Sequence, residues 1–239
     1  MKIDLDGPNL IFAGPGTGKT YEIVQRTIEL IKNSRDKDFG IIICTFTVKA
    51  AEELKTRIYS KITADQADRL MINTIHSICF KLIERYSDEG YYEYGLLSEE
   101  SQLNFIRSKS KNLGFDMLRF YDAEQLQMIF NKITDYQIDI NDLKFEDKKI
   151  EEMAKVYPTY LSLLEQYQLF DFNTLQKAFL DLLRKNKTFK ERISENFKYF
   201  LVDEYQDVND IQSELFFELS SPNFNLTVVG DDDQSIYGF

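Results

Sequence analysis

The chain has 239 residues, 43% of them hydrophobic, and a formal net charge of -11. That length and composition can bury a sizeable core. No segment reaches the roughly 18 consecutive apolar residues of a membrane-spanning helix, and Met1-Lys2-Ile3-Asp4 lacks the apolar stretch of a signal peptide. We therefore expect a cytoplasmic protein without membrane partners. Cys44 and Cys79 lack metal-ligand spacing, so we expect both to be reduced core residues.

The negative charge argues against nucleic-acid binding, which usually requires a basic face. Its distribution weakens that argument, because residues 1–62 are slightly positive and no Lys or Arg follows Lys198. Two alternatives remain for the acidic end of the chain. Either Mg2+ or protein outside this sequence supplies the balancing charge, or the carboxylates form a solvated acidic surface.

Short apolar runs predict buried parallel strands at residues 10–12, 41–44, 71–72, 200–202 and 226–229. Apolar residues at helical spacing follow several of these runs, for example over residues 48–62 and 75–86. Alternation of strands and helices predicts an α/β domain with a parallel sheet.

The pattern changes to helices alone between about residue 87 and residue 195. Leu126, Ile129, Phe130 and Ile133 repeat at helical spacing, and Asp122 is placed to cap the start of their helix. The sequence therefore predicts an α/β domain formed by residues 1–86 and 196–239, with an all-helical insertion at residues 87–195.

A phosphate-binding loop follows the first strand and precedes an amphipathic helix. Glycines allow the main-chain N–H groups to converge on phosphates, and the helix N-terminus and Lys19 add positive charge. Thr20 is placed to hold Mg2+. The residues predicted to bind the nucleotide are Ala13, Gly14, Pro15, Gly16, Thr17, Gly18, Lys19 and Thr20.

A second acidic element completes the predicted site for hydrolysis. Residues 199–202 form an apolar strand that ends in Asp203 and Glu204. Asp203 would ligate Mg2+ together with Thr20, and Glu204 would orient and deprotonate the attacking water. The sequence thus predicts ATP and Mg2+ as cofactors.

Five segments of the chain resemble the UvrD/Rep/PcrA family of superfamily 1 DNA helicases, in the family's order. Besides the phosphate-binding loop, these are residues 45–54, which resemble motif Ia, residues 73–79, a Thr-x-His-Ser segment, residues 202–207, which resemble motif II, and residues 230–239, which resemble motif III. Residues 167–173 are also similar to the stretch where the family's helical 1B subdomain returns to the core. The resemblance implies a RecA-like 1A domain with a 1B insertion.

The resemblance also implies roles for individual residues. Gln234 would sense the γ-phosphate, with Gln206 and Asp207 in the same coupling network. Residues along a track for single-stranded DNA, next to the duplex that is unwound, would be Thr45, Phe46, Lys49, His76, Tyr237 and Phe239. Aromatic rings suit such a track because they stack on bases of any sequence.

The resemblance places a second RecA-like domain, with its transition-state arginines, after motif III. We therefore expect this chain to bind ATP, to hydrolyse it slowly and not to unwind DNA alone. The leading hypothesis is a 3'-to-5' helicase or translocase. The helicase part of a RecB- or AddA-like helicase-nuclease and a non-motor P-loop regulator remain as alternatives.

Overall fold

A computed structural model of the chain describes residues 5–12, 18–33, 39–88, 90–115, 120–140, 147–221 and 223–231. The chain divides into two compact units. The first comprises Met1–Tyr86 and Leu180–Phe239, and the second comprises Ser87–Phe179. The sequence-based limits of the insertion, 87–195, stay a prediction. The contacts themselves group Leu180–Phe239 with the first unit.

The strands are β1 (Asn9–Phe12), β2 (Gly40–Thr45), β3 (Leu70–Thr74), β4 (Gly95–Leu96), β5 (Leu169–Phe170), β6 (Phe197–Val202) and β7 (Leu226–Gly230). The helices of the described residues are α1 (Lys19–Asn33), α2 (Val48–Tyr59), α3 (Ala64–Ala67), α4 (Ile75–Tyr86), α5 (Glu99–Ser108), α6 (Phe120–Asp135), α7 (Lys148–Lys155), α8 (Tyr157–Gln166), α9 (Phe172–Lys185), α10 (Lys187–Asn196) and α11 (Asp210–Ser220). This mixture confirms the predicted α/β class.

The first unit is built on a five-stranded sheet in the order β1-β7-β6-β2-β3. Every neighbouring pair is parallel, so all five strands end at the same edge. All six residues of β2 are buried, as expected for a strand covered on both faces. Ile41 and Ile43 of β2 pack with Leu201, Val229 and the apolar sides of α1 and α2.

Strand β1 departs from the prediction that it is buried. Leu10 is 57% exposed and Phe12 is 66% exposed, whereas Asn9 and Ile11 are partly buried. Because side chains alternate across a strand, Leu10 and Phe12 lie on one face. Among the described residues, that face of the edge strand has less cover than the other face.

The second unit has a helical core formed by α5, α6, α7 and α8. The expectation of helices alone was wrong in one detail, because β4 and β5 form a short parallel pair. The expected cap was also displaced: α6 begins at Phe120, so Asp122 lies in its first turn. A carboxylate there still interacts favourably with the helix dipole, and it accepts a hydrogen bond from Lys149 Nζ at 2.9 Å.

A buried polar cluster crosses the core of the second unit. Tyr160 donates its hydroxyl hydrogen to Asp171 Oδ2 at 2.5 Å, and Gln102 Nε2 donates to the same oxygen at 3.1 Å. Asp171 Oδ1 accepts from the main-chain N–H of Thr174 at the start of α9. The buried carboxylate is therefore satisfied by several donors, as such groups must be.

Two further expectations concern the whole described chain. Cys44 and Cys79 are buried and free, which confirms that they are reduced core residues. Among the residues described, none of the helices is long and apolar enough to span a bilayer.

Candidate nucleotide and nucleic-acid site

The predicted site residues that the structure describes lie at the carboxyl-terminal edge of the sheet. Lys19 follows β1, Thr45 ends β2, His76 follows β3 and Asp203 follows β6. Ligands of open parallel α/β sheets bind in the crevice outside the carboxyl ends of the strands, where the strand order reverses. Several predicted site residues lie outside the described ranges: Ala13, Gly14, Pro15, Gly16, Thr17, Gln234, Tyr237 and Phe239.

Gly18, a residue of the predicted phosphate-binding loop, directly precedes helix α1. Its φ of +101° is a conformation that L side chains rarely adopt, so glycine is required there. The carbonyl of Gly18 accepts the first helical hydrogen bond, from the N–H of Glu22 at 3.0 Å. Lys19 and Thr20 therefore occupy the first turn, where unpaired N–H groups and the helix dipole favour an anion.

The predicted metal ligand Asp203 is held firmly just beyond β6. Its side chain belongs to a residue only 5% exposed, its N–H donates to the carbonyl of Cys44, and its Oδ1 accepts from the N–H of Glu204. Burial, together with the charge of Glu204, raises the pKa of the Asp203 carboxyl to about 6. A nearby cation would favour the ionised form of these two adjacent, partly buried carboxylates.

Lys19 supplies one such cation. Its Nζ lies 2.7 Å from Glu204 Oε2, and the Lys19 side chain is only 11% exposed. Burial raises the pKa of Glu204, but hydrogen bonds from Gln206 and Lys19 outweigh it and leave that pKa lowered. Glu204 thus remains ionised near neutral pH, as a group that accepts a proton from water must be.

The described residues fit a magnesium ion. Mg2+ prefers oxygen ligands and commonly takes one or two protein groups, with phosphates and water completing the shell. Asp203 offers a buried carboxylate whose pKa is raised by burial and by the charge of Glu204, and Thr20 offers a hydroxyl in the first turn of α1. Among the described residues no group of three or more His, Cys, Asp or Glu side chains has metal-ligand geometry.

The predicted nucleic-acid residues that the structure describes lie at the ends of the neighbouring strands β2 and β3, where Thr45 and Thr74 are paired. Thr45 is buried and its hydroxyl donates to the carbonyl of Thr47, so it shapes the turn. Phe46 is partly buried, and Lys49 is exposed on the first turn of α2. The structure therefore brings an aromatic ring and a cation to the same stretch of the edge.

His76 occupies the first turn of α4, directly after β3. Burial lowers the pKa of its imidazole from 6.5 to about 4. The ring is therefore neutral at physiological pH and does not offer a positive charge to a phosphate. A contact with nucleic acid through His76 would be stacking or a neutral hydrogen bond.

The sequence did not reveal how Glu204 is held. Its backbone has φ 52° and ψ 45°, a left-handed conformation that is uncommon for a residue other than glycine. Gln206 Nε2 donates to Glu204 Oε2 at 2.7 Å. One oxygen of the carboxylate therefore accepts from two donors, Gln206 and Lys19, and only the spacing of a Gln two positions after the Glu indicated this in the sequence.

Comparison with known proteins gives a consistent result. Residues 2–239 match the family described as the UvrD/REP helicase N-terminal domain. The chain is 34% identical to the ATP-dependent DNA helicase Rep of Buchnera aphidicola subsp. Schizaphis graminum, over 98% of this chain and 36% of that protein. It is 32% identical to the ATP-dependent DNA helicase PcrA of Staphylococcus aureus, over 98% of this chain and 32% of that protein. The chain thus spans about a third of the length of these relatives.

Proposed function

The chain belongs to the UvrD/REP helicase N-terminal domain family, and we propose on that basis that it is the ATP-binding part of a DNA helicase or translocase. Its substrates would be Mg-ATP and single-stranded DNA next to a duplex, with movement in the 3'-to-5' direction that the family resemblance implies. One observation carries the proposal: Lys19 and Glu204, from two separate motifs, meet at 2.7 Å at the ligand-binding edge of the sheet.

In this proposal the phosphates of ATP bind at the start of α1. Gly18 provides the turn, the N–H groups of the first helical turn donate to phosphate oxygens, and Lys19 neutralises charge. Thr20 and Asp203 would hold Mg2+, which when bound draws negative charge away from the phosphoryl group that is transferred. Because Lys19 lies next to Glu204, a phosphate held by Lys19 is within reach of that carboxylate.

Glu204 is the group that acts on the attacking water. It accepts a proton from a water molecule aligned with the terminal phosphate, while that water forms its bond to phosphorus and the bond between phosphorus and the oxygen of the departing ADP breaks. The lowered pKa of Glu204 keeps it ionised for this task, and the bonds from Lys19 and Gln206 fix its direction.

The nucleic-acid track would follow the ends of β2 and β3. Phe46 and neutral His76 would stack on bases, each contact worth roughly 1–3 kcal/mol, and Lys49 would meet a phosphate. Tyr237 and Phe239 belong to the same proposed track but lie outside the described residues. Stacking does not depend on base identity, which suits a protein that moves along DNA of any sequence.

Hydrolysis by these residues would be slow without a further cation. Among the described residues, Lys19 is the cation that reaches Glu204, and an additional arginine at the transition state adds about 10^3- to 10^5-fold in related phosphoryl transfers. We propose that a second RecA-like domain supplies such arginines and that its closure onto this site drives translocation.

The test is binding of a fluorescent Mg-ATP analogue to the chain and to two lysine variants. Lys19→Ala removes the proposed phosphate ligand, whereas Lys32→Ala removes an exposed lysine from the other end of the same helix. We expect Lys19→Ala to weaken binding at least about tenfold, since charge-assisted hydrogen bonds contribute about 1.5–3 kcal/mol. Lys32→Ala should bind normally.

The same titrations with and without oligo-dT test the link to DNA. A shift in nucleotide affinity when oligo-dT is present would support a helicase whose two sites are coupled. Absence of nucleotide binding, or equal binding by the two lysine variants, would contradict the proposed phosphate site. Binding of nucleotide without any binding of oligo-dT would favour the P-loop regulator.

A further inference from the structure

The side chain of Gln206 joins the ends of two neighbouring strands. Its Nε2 donates to Glu204 Oε2 at 2.7 Å, and its Oε1 accepts from the main-chain N–H of Asp231 at 3.0 Å. Glu204 comes shortly after β6 and Asp231 directly after β7, and these strands are paired. One amide group therefore connects a reactive carboxylate to the main chain of the adjacent strand.

Glu204 needs support of this kind. Its left-handed backbone costs of order 1 kcal/mol or more for a residue with a Cβ, so surrounding contacts must maintain it. The two donors, Lys19 and Gln206, bind the same oxygen, Oε2. A carboxylate held through one oxygen also has the direction of its second oxygen fixed.

The close approach of β7 to Gln206 depends on Gly230. A Cβ at this position would lie 3.2 Å from Gln206 Oε1 and 3.4 Å from Gln206 N. The first distance is tighter than ordinary van der Waals contact, so a side chain would push the amide away from its two partners. The glycine thus provides the space in which the amide bridges the two strand ends.

We propose that Gln206 is a positioning residue for ATP hydrolysis, holding Glu204 in its reactive orientation and linking it to the main chain at the end of β7. This inference rests on the proposed function of the same site. Gln206 acts through Glu204, so its loss lowers the rate of hydrolysis more than the affinity for nucleotide, which depends on the phosphate-binding loop and Lys19. A purely structural residue would change stability and leave turnover by the folded chain intact.

Two variants test the proposal. Gln206→Met has a similar volume but can form neither hydrogen bond, and Gln206→Asn keeps an amide that is one methylene too short to reach both partners. Gln166→Met, at an exposed position on α8, is the matched control. Single-turnover hydrolysis of Mg-ATP with excess protein, affinity for a fluorescent ATP analogue, and thermal unfolding are measured for each.

We expect both Gln206 variants to lower the single-turnover rate by about 10- to 100-fold, the scale of loss when a reactive group is misplaced by about 1 Å. Nucleotide affinity should change by less than about threefold, and Gln166→Met should match the original chain. Full turnover by either folded Gln206 variant, or a loss of affinity as large as the loss of rate, would overturn the proposal.

Amide hydrogen exchange at Asp231 supplies a measurement that does not need hydrolysis. The N–H of Asp231 should exchange faster in Gln206→Met than in the original chain, because its acceptor is removed. Equal exchange rates of this N–H in the two proteins would overturn the inference. This outcome can be observed even if the original chain binds nucleotide but does not hydrolyse it. Failure of the original chain to bind nucleotide would instead contradict the proposed function.

Discussion

Lys19 and Glu204 are 185 positions apart in the chain, and their side chains form an ion pair of 2.7 Å. The pair brings the start of α1 and the end of β6 to one place at the edge of the sheet. Each partner has a different proposed task, since Lys19 binds phosphate and Glu204 acts on water. Substitutions of the two residues should therefore have different consequences.

Glu204→Gln should retain nucleotide binding and lose hydrolysis. The amide keeps the shape of the side chain but cannot accept the proton of the attacking water, and a positioned general base contributes roughly 10^2- to 10^4-fold. We expect single-turnover rates at least about 100-fold lower, with affinity for Mg-ATP changed only a few-fold. Glu195→Gln, at an exposed position on α10, is the control and should hydrolyse ATP normally. Comparable rates for the two variants would exclude Glu204 as the base.

Gly230→Ala should reduce turnover by displacing Gln206. The added Cβ lies 3.2 Å from Gln206 Oε1, so the amide must shift by a few tenths of an ångström. We expect a loss of turnover of about 3- to 30-fold. Gly90→Ala is a useful contrast, because its φ of +77° strains an alanine while the surrounding space is open. That variant should lose about 1 kcal/mol of stability and keep its turnover; equal turnover in both variants would contradict the expectation.

Phe46 and Lys49 should contribute to oligo-dT binding in distinguishable ways. Phe46→Ala should weaken binding by roughly 1–3 kcal/mol at any salt concentration, because it removes a stacking surface. Lys49→Ala should also reduce the slope of log affinity against log salt concentration by about 0.7, the value for one phosphate contact on a single strand. Val48→Ala is the control, since Val48 lies between them and is 68% exposed. Identical salt slopes for the Lys49 variant and the original chain would remove Lys49 from the track.

The sequence predicted the parallel sheet well because its strands are short apolar runs, such as residues 41–44, with helical patterns between them. It failed for β1, since apolar Leu10 and Phe12 give the same pattern whether or not another element covers them. Residues 95–96 and 169–170 pair over too short a length to leave a periodic signal.

The candidate site was partly predictable for a similar reason. Lys19 and Glu204 belong to motifs with fixed spacing, so their types and order predict the roles that we propose for them. The bond between Gln206 and Asp231, by contrast, depends on the register of β6 and β7 and on the left-handed backbone of Glu204. Tertiary geometry of that kind has no local sequence pattern. The same holds for His76, whose lowered pKa arises from burial.

Stability should depend on pH through His76, the one histidine in the chain. Burial lowers its pKa from 6.5 to about 4, so between these values the unfolded chain binds a proton that the folded chain does not. The free energy of unfolding should therefore fall as pH decreases through this window, and His76 should cause no further loss below about pH 4. Because the residue is partly exposed, we expect an effect of about 1–2 kcal/mol.

Urea unfolding at pH 7 and pH 5 measures this effect. Carboxylates also titrate at low pH, so the informative quantity is the stability difference between the original chain and His76→Gln at each pH. That difference should shift in favour of the glutamine variant at pH 5. A difference that is independent of pH would show that His76 titrates normally in the folded chain.

Tyr160→Phe should destabilise the second unit without affecting the nucleotide site. The hydroxyl of Tyr160 donates to the buried carboxylate of Asp171 at 2.5 Å, and its removal leaves that oxygen with one donor fewer. We expect a loss of about 1–3 kcal/mol in the free energy of unfolding, because Asp171 is buried and bulk solvent does not replace the lost donor. Tyr167→Phe, at a position 47% exposed, should cost less than about 0.5 kcal/mol in the same urea titrations.

Affinity for Mg-ATP should be unchanged in both variants, since Tyr160 and Asp171 belong to Ser87–Phe179 and the phosphate-binding residues do not. If Tyr160→Phe were as stable as Tyr167→Phe, Gln102 and Thr174 alone would suffice to hold the carboxylate of Asp171 in the core.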